Sequence, residues 1–294
     1  MLIDFVGLGS MGLGMAVSLV KAGHTVRGFD PAEARVEMLI AQGGTAFGEA
    51  ADKADAVVSA VLNADQTRAV LFGERGVAKR LRPGGVIISC ATVSPAFAAE
   101  MEAQAADVGL LYLDAPISGG AIKASAGQLS IMASGTAEAF DVAGPVLEAM
   151  AETVHRLGDH AGPGSAMKAV NQLLAGVHIA AMGEALAFGA SQGLTPAQVV
   201  QVISVSAGTS WMFENRAPHV VDGDYTPRSK VDIWLKDLGI VIDIAASSAL
   251  PVPVSTNALA QFRAASEAGL GDEDDAAIAK FFARAGGVSL PGDS

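Results

Sequence analysis

The chain has 294 residues, of which 51% are hydrophobic and 17% charged, so it is long and apolar enough to fold as a globular protein of one or two domains. Its formal net charge of −12 at pH 7 argues against nucleic acid as a partner, because phosphate binding depends on clustered Lys and Arg. Cys90 is the only cysteine, which excludes an internal disulfide and fits a reducing compartment.

No basic stretch precedes an apolar one at the N-terminus, so we expect no signal peptide. The longest uncharged run, 169–183, is shorter than the roughly 20 residues that span a bilayer, and it contains polar side chains. We therefore expect a cytoplasmic protein that uses this run as a buried helix.

The first elements form a strand–helix–strand unit around a glycine-rich turn. Residues 2–6 and 24–29 are predicted strands, and 10–22 is a predicted helix. The turn between them is Gly7-Leu8-Gly9-Ser10-Met11-Gly12, which has the spacing G-x-G-x-x-G. In such a turn the first glycine allows a tight bend, the second lets a pyrophosphate approach the backbone, and the third lets the helix pack on the strand. The unit predicts a dinucleotide site with the phosphates at the helix N-terminus.

Asp30, at the end of the second predicted strand, bears on the choice of dinucleotide. A carboxylate there accepts hydrogen bonds from the adenosine ribose hydroxyls and repels a 2′-phosphate. The next residues are Pro31, Ala32 and Glu33, so no arginine follows to attract that phosphate. The sequence favours NAD over NADP.

Strand and helix patterns alternate as far as residue 157. We predict strands over 55–61, 85–89, 110–113, 128–133 and 153–157, and helices over 65–72, 94–106 and 136–150. This alternation predicts a Rossmann-type α/β domain over 1–162, with a doubly wound, largely parallel sheet covered by helices on both faces. Ligands of such sheets bind beyond the carboxyl ends of the strands. The candidate turns there contain Leu62 and Asn63, Thr92, and the segment 114–120.

Strand patterns vanish after Gly164. Helical patterns cover 165–192, 195–206, 228–248, 254–268 and 274–285, with an irregular piece near 207–227. These patterns predict an all-α domain over 163–294 that is entered through a long inter-domain helix.

Lys168 and Asn171 lie near the start of that long helix, three residues apart and therefore on one face. No other charge follows Lys168 until Glu184. A buried ammonium needs a partner or a lowered pKa, and a lowered pKa suits a lysine that transfers protons. The alternative is a lysine whose stem is buried while its ammonium reaches solvent.

Other residues have both functional and structural explanations. Ser118, Gly119 and Gly120 could cradle a carboxylate with a hydroxyl and backbone N–H groups, or form a turn without a ligand. Lys236 could lower the pKa of Lys168, hold a substrate carboxylate or a cofactor hydroxyl, or form an ion pair with Asp232 or Asp237.

Aromatic residues and histidines give weaker signals. Trp211 and Phe213 could line a pocket, although such residues are more often core, and Arg216 could reach substrate hydroxyls. The five histidines have no metal-ligand spacing with acids, so no metal is expected.

Four segments resemble, in order, the motifs of the β-hydroxyacid dehydrogenases, the family that includes 3-hydroxyisobutyrate dehydrogenase and tartronate semialdehyde reductase. They are the glycine turn 7–12, the segment 114–120, Gly162-x-Gly-x-x-x-Lys168-x-x-Asn171, and Lys236-Asp-Leu-Gly239. The segments 171–179, 211–216 and 231–241 resemble the branch of this family that oxidises L-threonate. Ser89 departs from the pattern, because the family often has Asp at that strand end.

The resemblance implies a role for each matched residue. Lys168 would be the catalytic acid/base, and Asn171 would bind Lys168 or the substrate. Ser118, Gly119 and Gly120 would bind the substrate carboxylate. Thr92 would contact the nicotinamide half of NAD, and Lys236 would contact both cofactor and substrate.

The implied function is NAD-dependent oxidation of a small hydroxy acid, first of all L-threonate to 2-oxotetronate, by a homodimer or homotetramer assembled through the helical domain. A sister activity on 3-hydroxyisobutyrate or a semialdehyde stays open, and more distantly a non-catalytic cofactor-binding scaffold. Lys168, Asn171 and Lys236 argue against the scaffold, since a binding module has no need of a buried lysine. Imine reduction is disfavoured, because that branch typically lacks this lysine.

Overall fold

The structure, a computed structural model, describes residues 1–48 and 52–293. The chain divides into two compact units, Met1–Lys168 and Ala169–Ser294. The two compact units therefore meet within the long helix, after Lys168. The domain boundary that the sequence predicts between residues 162 and 163 stays a prediction.

The first unit is built on a sheet that, in the described residues, has six parallel strands. Its order is β3-β2-β1-β4-β5-β6, where the strands are β1 (Leu2–Val6), β2 (Thr25–Phe29), β3 (Thr45–Ala46), β4 (Ala54–Ser59), β5 (Leu81–Ser89) and β6 (Leu111–Asp114). The helices of this unit are α1 (Gly12–Lys21), α2 (Glu33–Ile40), α3 (Ala64–Phe72), α4 (Pro95–Asp107), α5 (Gly120–Ser125) and α6 (Ala137–Met150), with a 3₁₀ turn at Val77–Arg80. The strand order reverses between β1 and β4, where ligands of open α/β sheets bind.

Side chains of successive residues alternate between the two faces of this sheet, and both faces are apolar. Ile3, Phe5 and Ile88 belong to a core shared with α1 and α6, whereas Val57 and Ile87 belong to a second core shared with α3 and α4. The sequence of a strand that is covered on both faces is a continuous run of apolar residues. The doubly wound Rossmann-type fold predicted from the sequence is therefore confirmed.

One detail of the sheet prediction is wrong, because the last strands form a separate small sheet. Here β7 (Ile117–Ser118) pairs antiparallel with β8 (Leu129–Ala133), which pairs parallel with β9 (Ala151–Arg156). The chain turns after β6, and a bridge between Asp114 and Ser134 joins the end of β6 to the end of β8. Alternation alone shows that strands are present but not which sheet each joins.

The second unit is helical, as predicted, in the part of the chain that the structure describes. Its helices are α7 (Pro163–Ser191, which begins in the first unit), α8 (Pro196–Ile203), α9 (Trp211–Asp222), α10 (Ile233–Ser247), α11 (Pro253–Ala265) and α12 (Ile278–Ala285), with a π-helical turn at Ser266–Leu270 and a 3₁₀ turn at Asp275–Ala277. Ile179, Phe213, Trp234 and Phe262 lie in its core.

The irregular piece predicted over 207–227 is wrong, because α9 occupies most of it. The Ser210 side chain accepts a hydrogen bond from the Phe213 N–H at 3.1 Å and caps the start of α9. Gly223, with φ 65°, ends it. Pro218 inside the helix weakens the helical pattern, which explains why the sequence hides α9.

The helix α7 is long and apolar enough to cross a membrane by length and composition alone. Half of its most apolar window is buried inside the protein. The core helix of a soluble protein has the same properties, so α7 is no argument for a membrane.

Candidate functional site

The glycine turn after β1 has the geometry of a phosphate-binding loop. Gly7 has φ 89°, and a Cβ there would lie 2.6 Å from the carbonyl oxygen of Ala60. A Cβ on Gly12 would lie 1.8 Å from the carbonyl oxygen of Gly7. Both positions exclude any side chain, for reasons internal to the fold.

Gly9 differs, because no atom lies within 4 Å of a Cβ built on it. Nothing inside the protein therefore requires a glycine at this position, and the open space leaves room for a ligand to approach the backbone. Gly9 and Ser10 are exposed, and Met11 precedes the first residue of α1, whose backbone N–H groups face the turn. Leu8 is fully buried beneath.

Asp30 closes the site at the end of β2. Its Oδ2 accepts the backbone N–H of Leu8 at 2.7 Å, and its Oδ1 accepts that of Ala32 at 2.9 Å. Each carboxylate oxygen has a further lone pair, so two ribose hydroxyls can still be accepted. The turn and Asp30 together fit the diphosphate and adenosine ribose of NAD.

The turns after β4 and β5 complete the edge of the sheet. Leu62 is half exposed, and its N–H donates to Gln66 Oε1 at 2.9 Å. The Asn63 side chain accepts a hydrogen bond from the Gln66 N–H at 2.9 Å and caps α3. Asn63 thus has a structural role as well as a place at the edge of the sheet where ligands bind. Thr92 is partly buried in the turn after β5.

Cys90, in the same turn, is buried packing. Burial raises the pKa of its thiol to about 12, so no thiolate is available near neutral pH. The nearby Ser89 is also buried, at 2% exposure, at the end of β5.

Ser118 ends β7 and is followed by Gly119 and Gly120, whose φ values are 140° and 78°. Both φ values lie where glycine is favoured, and a Cβ on Gly119 would lie 3.0 Å from the side chain of Lys123. The two glycines turn the chain directly into α5, so that a hydroxyl and backbone N–H groups are concentrated there.

Lys168 lies in the second turn of α7 and is buried, at 8% exposure. Its Nζ donates to the carbonyl oxygen of Ile117 at 2.9 Å. Ile117 directly precedes Ser118, so the structure brings the ammonium to the turn 118–120, which is about fifty residues away in sequence. The alternative of a lysine that extends into solvent is wrong.

The start of α7 is held by Asp114, whose role sequence reasoning missed. Its Oδ2 accepts the backbone N–H groups of Gly162 at 3.0 Å and Ser165 at 2.8 Å, and its Oδ1 accepts the Ser165 hydroxyl at 2.7 Å. Ser134 adds a hydrogen bond to Asp114 at 3.3 Å. Burial raises the pKa of Asp114, and the hydrogen bonds from Ser165, Gly162 and Ser134 oppose that rise. The local signal for this role is only an acid at the end of a predicted strand, because its partners lie about fifty residues later in the chain.

Two hydrogen bonds and one ion pair connect Asn171 to Lys236 in the second unit. Asn171 Nδ2 donates to Gln172 Oε1 at 2.9 Å, and Gln172 Nε2 donates to Asp237 Oδ2 at 2.5 Å. Asp237 Oδ1 lies 2.6 Å from Lys236 Nζ. The ion pair with Asp237 that the sequence left open for Lys236 is therefore present, while the Lys236 side chain keeps 22% exposure.

The side chains of α9 that the sequence singles out lie in different environments. Phe213 is core, at 4% exposure, whereas Trp211 is 56% exposed. Arg216 Nε donates to the buried Asp275 at 2.6 Å, and Trp234 Nε1 donates to the other oxygen of Asp275 at 3.0 Å. The guanidinium is thus held by an acid of its own unit.

In the part of the chain that the structure describes, no group of His, Cys, Asp or Glu side chains could hold a metal ion.

Comparison with known proteins places both halves of the chain in one family. Residues 2–158 match the NAD-binding domain of 6-phosphogluconate dehydrogenase, and residues 162–282 match the NAD-binding domain of NADP-dependent 3-hydroxyisobutyrate dehydrogenase. The chain is 48% identical to L-threonate dehydrogenase of Cupriavidus necator over 293 residues, covering 99% of this chain and 98% of that protein. It is 36% identical to 3-hydroxyisobutyrate dehydrogenase of Pseudomonas aeruginosa, covering 82% of this chain and 84% of that protein.

Among solved structures, one named 3-hydroxyisobutyrate dehydrogenase, from Salmonella typhimurium, superposes with a TM-score of 0.91 at 47% identity, covering 96% of this chain and 99% of that one. Imine reductases share the fold at about 20% identity, which carries no functional argument. The glycine turn and Asp30 lie within the first matched range, and Lys168 lies within the second. The chain belongs to the β-hydroxyacid dehydrogenase family, related to 3-hydroxyisobutyrate dehydrogenase, and is an NAD-dependent dehydrogenase.

Proposed function

We propose that this protein oxidises a small hydroxy acid, with L-threonate, converted to 2-oxotetronate, as the first-choice substrate. The observation that carries the proposal is the placement of Lys168. Its ammonium is buried and hydrogen-bonded to the residue that precedes the turn 118–120. A proton-transferring group thus lies beside a turn suited to a carboxylate.

NAD, Lys168 and the turn 118–120 have separate proposed roles in the reaction. NAD, when bound, supplies the acceptor for the hydride that leaves the substrate carbon. Neutral Lys168 takes the proton of the substrate hydroxyl, and in the reverse direction its ammonium returns a proton to the carbonyl oxygen. The Ser118 hydroxyl and the backbone N–H groups at Gly119 and Gly120 bind the substrate carboxylate. The burial of Lys168 limits competition from water for its proton.

The proposed contacts to NAD use the glycine turn and Asp30, which fit its diphosphate and adenosine ribose. The N–H groups at the start of α1 bind the diphosphate next to Gly9, and Asp30 accepts the adenosine ribose hydroxyls. We assign Leu62, Asn63 and Thr92 to the edge along which the nicotinamide half lies, and Lys236 to the cofactor and substrate.

L-threonate is preferred over a shorter acid because the relatives that match nearly the full chain at 47–48% identity are named L-threonate dehydrogenase. The equally similar solved structure named 3-hydroxyisobutyrate dehydrogenase keeps that sister activity as the second candidate. The two acids differ in hydroxyl count, and a site that pairs buried hydroxyls rejects analogues lacking them by large factors.

The test is NADH formation at 340 nm with NAD and a panel of acids: L- and D-threonate, both erythronates, D-glycerate, 3-hydroxyisobutyrate and 3-hydroxybutyrate. We expect the highest kcat/KM with L-threonate. Activity confined to a 3-hydroxy acid would keep the chemistry and replace the substrate. No turnover with any acid and either dinucleotide, despite tight NADH binding, would favour a cofactor-binding scaffold.

The role of Lys168 is tested with Lys168→Ala, which we expect to bind NADH normally and to lose turnover by at least about 100-fold. Lys230→Ala is the control, because Lys230 is exposed and pairs with Asp272 at the surface. Turnover of Lys168→Ala close to that of the wild type would remove the mechanism.

We also propose a cytoplasmic homodimer or homotetramer, assembled through the helical unit. Apolar side chains of α7 that stay exposed in the single chain support this assembly, notably Val170 at 54%, Leu174 at 49% and Phe188 at 65%. Light scattering coupled to size-exclusion chromatography gives the mass directly, and a mass equal to that of one chain, 29.6 kDa, would contradict the assembly.

A further inference from the structure

We propose that Gln172 and Asp237 are positioning residues that fix the side-chain amide of Asn171, so that Asn171 presents its carbonyl oxygen to the active site. The inference rests on the proposed function, because Asn171 is a site residue only there. The sequence motifs assign no role to Gln172, and the sequence suggests Asp237 only as an ion-pair partner of Lys236.

The three residues form a continuous path of hydrogen bonds. Asn171 Nδ2 donates to Gln172 Oε1 at 2.9 Å, and Gln172 Nε2 donates to Asp237 Oδ2. Gln172 is 8% exposed and Asp237 is 4% exposed, so water cannot readily replace either bond. The other oxygen of Asp237 lies 2.6 Å from Lys236 Nζ, which keeps the carboxylate paired.

The chemistry of the groups sets the direction of every bond in this path. A carboxylate paired with a lysine only accepts hydrogen bonds, so Gln172 must turn its NH₂ group toward Asp237. Its carbonyl oxygen then faces Asn171, which can approach it only with an NH₂ group. The Oδ1 atom of Asn171 is thereby directed elsewhere, as an acceptor.

Asn171 lies three residues after Lys168, on the same face of α7. An acceptor at that place suits a donor that appears during the reaction, which is the substrate hydroxyl or the ammonium that Lys168 becomes after taking a proton. An amide turned the other way would offer an N–H to those donors and repel them. Asp237 therefore controls the polarity of a neighbouring site residue through Gln172.

A close approach of two helices makes the path possible. Gly176, one turn after Gln172 on α7, faces α10, and a Cβ there would lie 2.9 Å from Trp234 and from Leu238. Because a side chain at 176 would push the helices apart, Gly176 keeps Gln172 within reach of Asp237.

The plain alternative is that Gln172 and Asp237 only bind α7 to α10. Two single substitutions and their combination separate the explanations. Gln172→Glu places two carboxylates against each other. Asp237→Asn lets residue 237 donate or accept, so that Gln172 can turn over. In the double variant the new amide at position 237 donates to the new carboxylate at position 172, which in turn accepts from Asn171. This combination restores the order of donors and acceptors at unchanged net charge.

The first measurement is steady-state kinetics with NAD and the acid that the wild type oxidises best. We expect each single variant to lose at least about tenfold in kcat, and the double variant to return to within about threefold of the wild type. NADH affinity from fluorescence titration and the thermal midpoint are followed in parallel. Single variants that lose only stability, or a double variant no better than the worse single, would overturn the proposal.

The second measurement does not depend on turnover. The side-chain amide of Asn171 is assigned in ¹⁵N spectra by its disappearance in Asn171→Asp. Its protons should exchange slowly in the wild type, fast in each single variant, and slowly again in the double. Equal exchange in all four proteins would contradict the path. A wild type inactive on every acid with this exchange pattern intact would sink the proposed function and leave the path standing.

Discussion

Asp114 holds Ser165 at two points, accepting its hydroxyl at 2.7 Å and its backbone N–H at 2.8 Å. The strand end thus caps the helix that carries Lys168, less than one turn before that residue. The position of the ammonium depends on a buried carboxylate that need not touch the substrate.

We expect Asp114→Ala to lower the free energy of unfolding by about 3 kcal/mol, because it leaves the buried N–H groups of Gly162 and Ser165 without their acceptor. We also expect kcat to fall while NADH affinity stays near that of the wild type. Urea unfolding and steady-state kinetics measure the two effects. Asp107→Ala, at the exposed end of α4, is the control and should change neither. Full activity in a folded Asp114→Ala would show that Lys168 needs no such cap.

Gly9 should be replaceable without loss of stability but not without loss of cofactor. Its φ lies outside the left-handed region, and a Cβ there meets nothing within 4 Å. We expect Gly9→Ala to keep the thermal midpoint and to weaken NADH binding by at least about tenfold, since the methyl group occupies the space of the diphosphate. Gly286→Ala is a matched control in the second unit, where the nearest atom lies 3.5 Å from the Cβ. Unchanged NADH affinity in Gly9→Ala would place the diphosphate elsewhere.

Asp30 should set the choice between the two dinucleotides. Asp30→Asn keeps an oxygen for the Leu8 N–H and removes the charge that repels a 2′-phosphate. We expect the affinity for NADPH to rise by about tenfold and the affinity for NADH to fall. The preference for NADH over NADPH should therefore become smaller. Fluorescence titration with both reduced dinucleotides measures the ratio. If the ratio does not move, discrimination comes from another residue.

Asp274 should make stability depend on pH in the acid range. Burial raises its pKa, but hydrogen bonds from His219 at 2.8 Å and from the N–H groups of Arg228 and Ala276 outweigh burial, and the net pKa is lowered from its usual 3.8. A carboxyl with a lowered folded pKa stabilises the protein above the unfolded value, and this stability is lost as pH falls through the folded value.

The free-energy difference between the wild type and Asp274→Asn should therefore be constant above about pH 5 and shrink below pH 3.8. Urea unfolding across that range gives the difference. Asp243→Asn, an exposed carboxylate of α10, serves as the comparison. A difference that grows on acidification would reverse the sign of the argument.

The sequence predicts the Rossmann-type unit well because its signals are local. The glycine turn, the alternation of apolar strands with helices, and Asp30 each follow from spacing within a short stretch. Lys168 also stands out locally, as a lone charge in an apolar stretch of helix. Its burial agrees with the prediction, because Lys168 lies on the buried face of this stretch of helix, together with Ser165 and Gln172.

The features that the sequence does not predict depend on contacts between residues that are far apart in the chain. Nothing near Gln172 indicates that its amide faces Asp237, 65 residues later. Asp114 stands in a recognisable motif, yet its cap on Ser165 is visible only once β6 and α7 meet. The separate sheet of β7, β8 and β9 follows from pairing, which the pattern of any one strand does not specify.

The division of compactness at Lys168 has a consequence for anyone who wishes to recombine this protein with its relatives. A chimaera joined at that division would cut α7 in its second turn and separate a donor's Asn171 from its own lysine. A junction before Gly162 instead transfers Ser165, Lys168, Asn171 and Gln172 as one segment, and it needs an acid equivalent to Asp114 in the recipient. Exchange of substrate preference by recombination should succeed only with pairs of parents that share that acid.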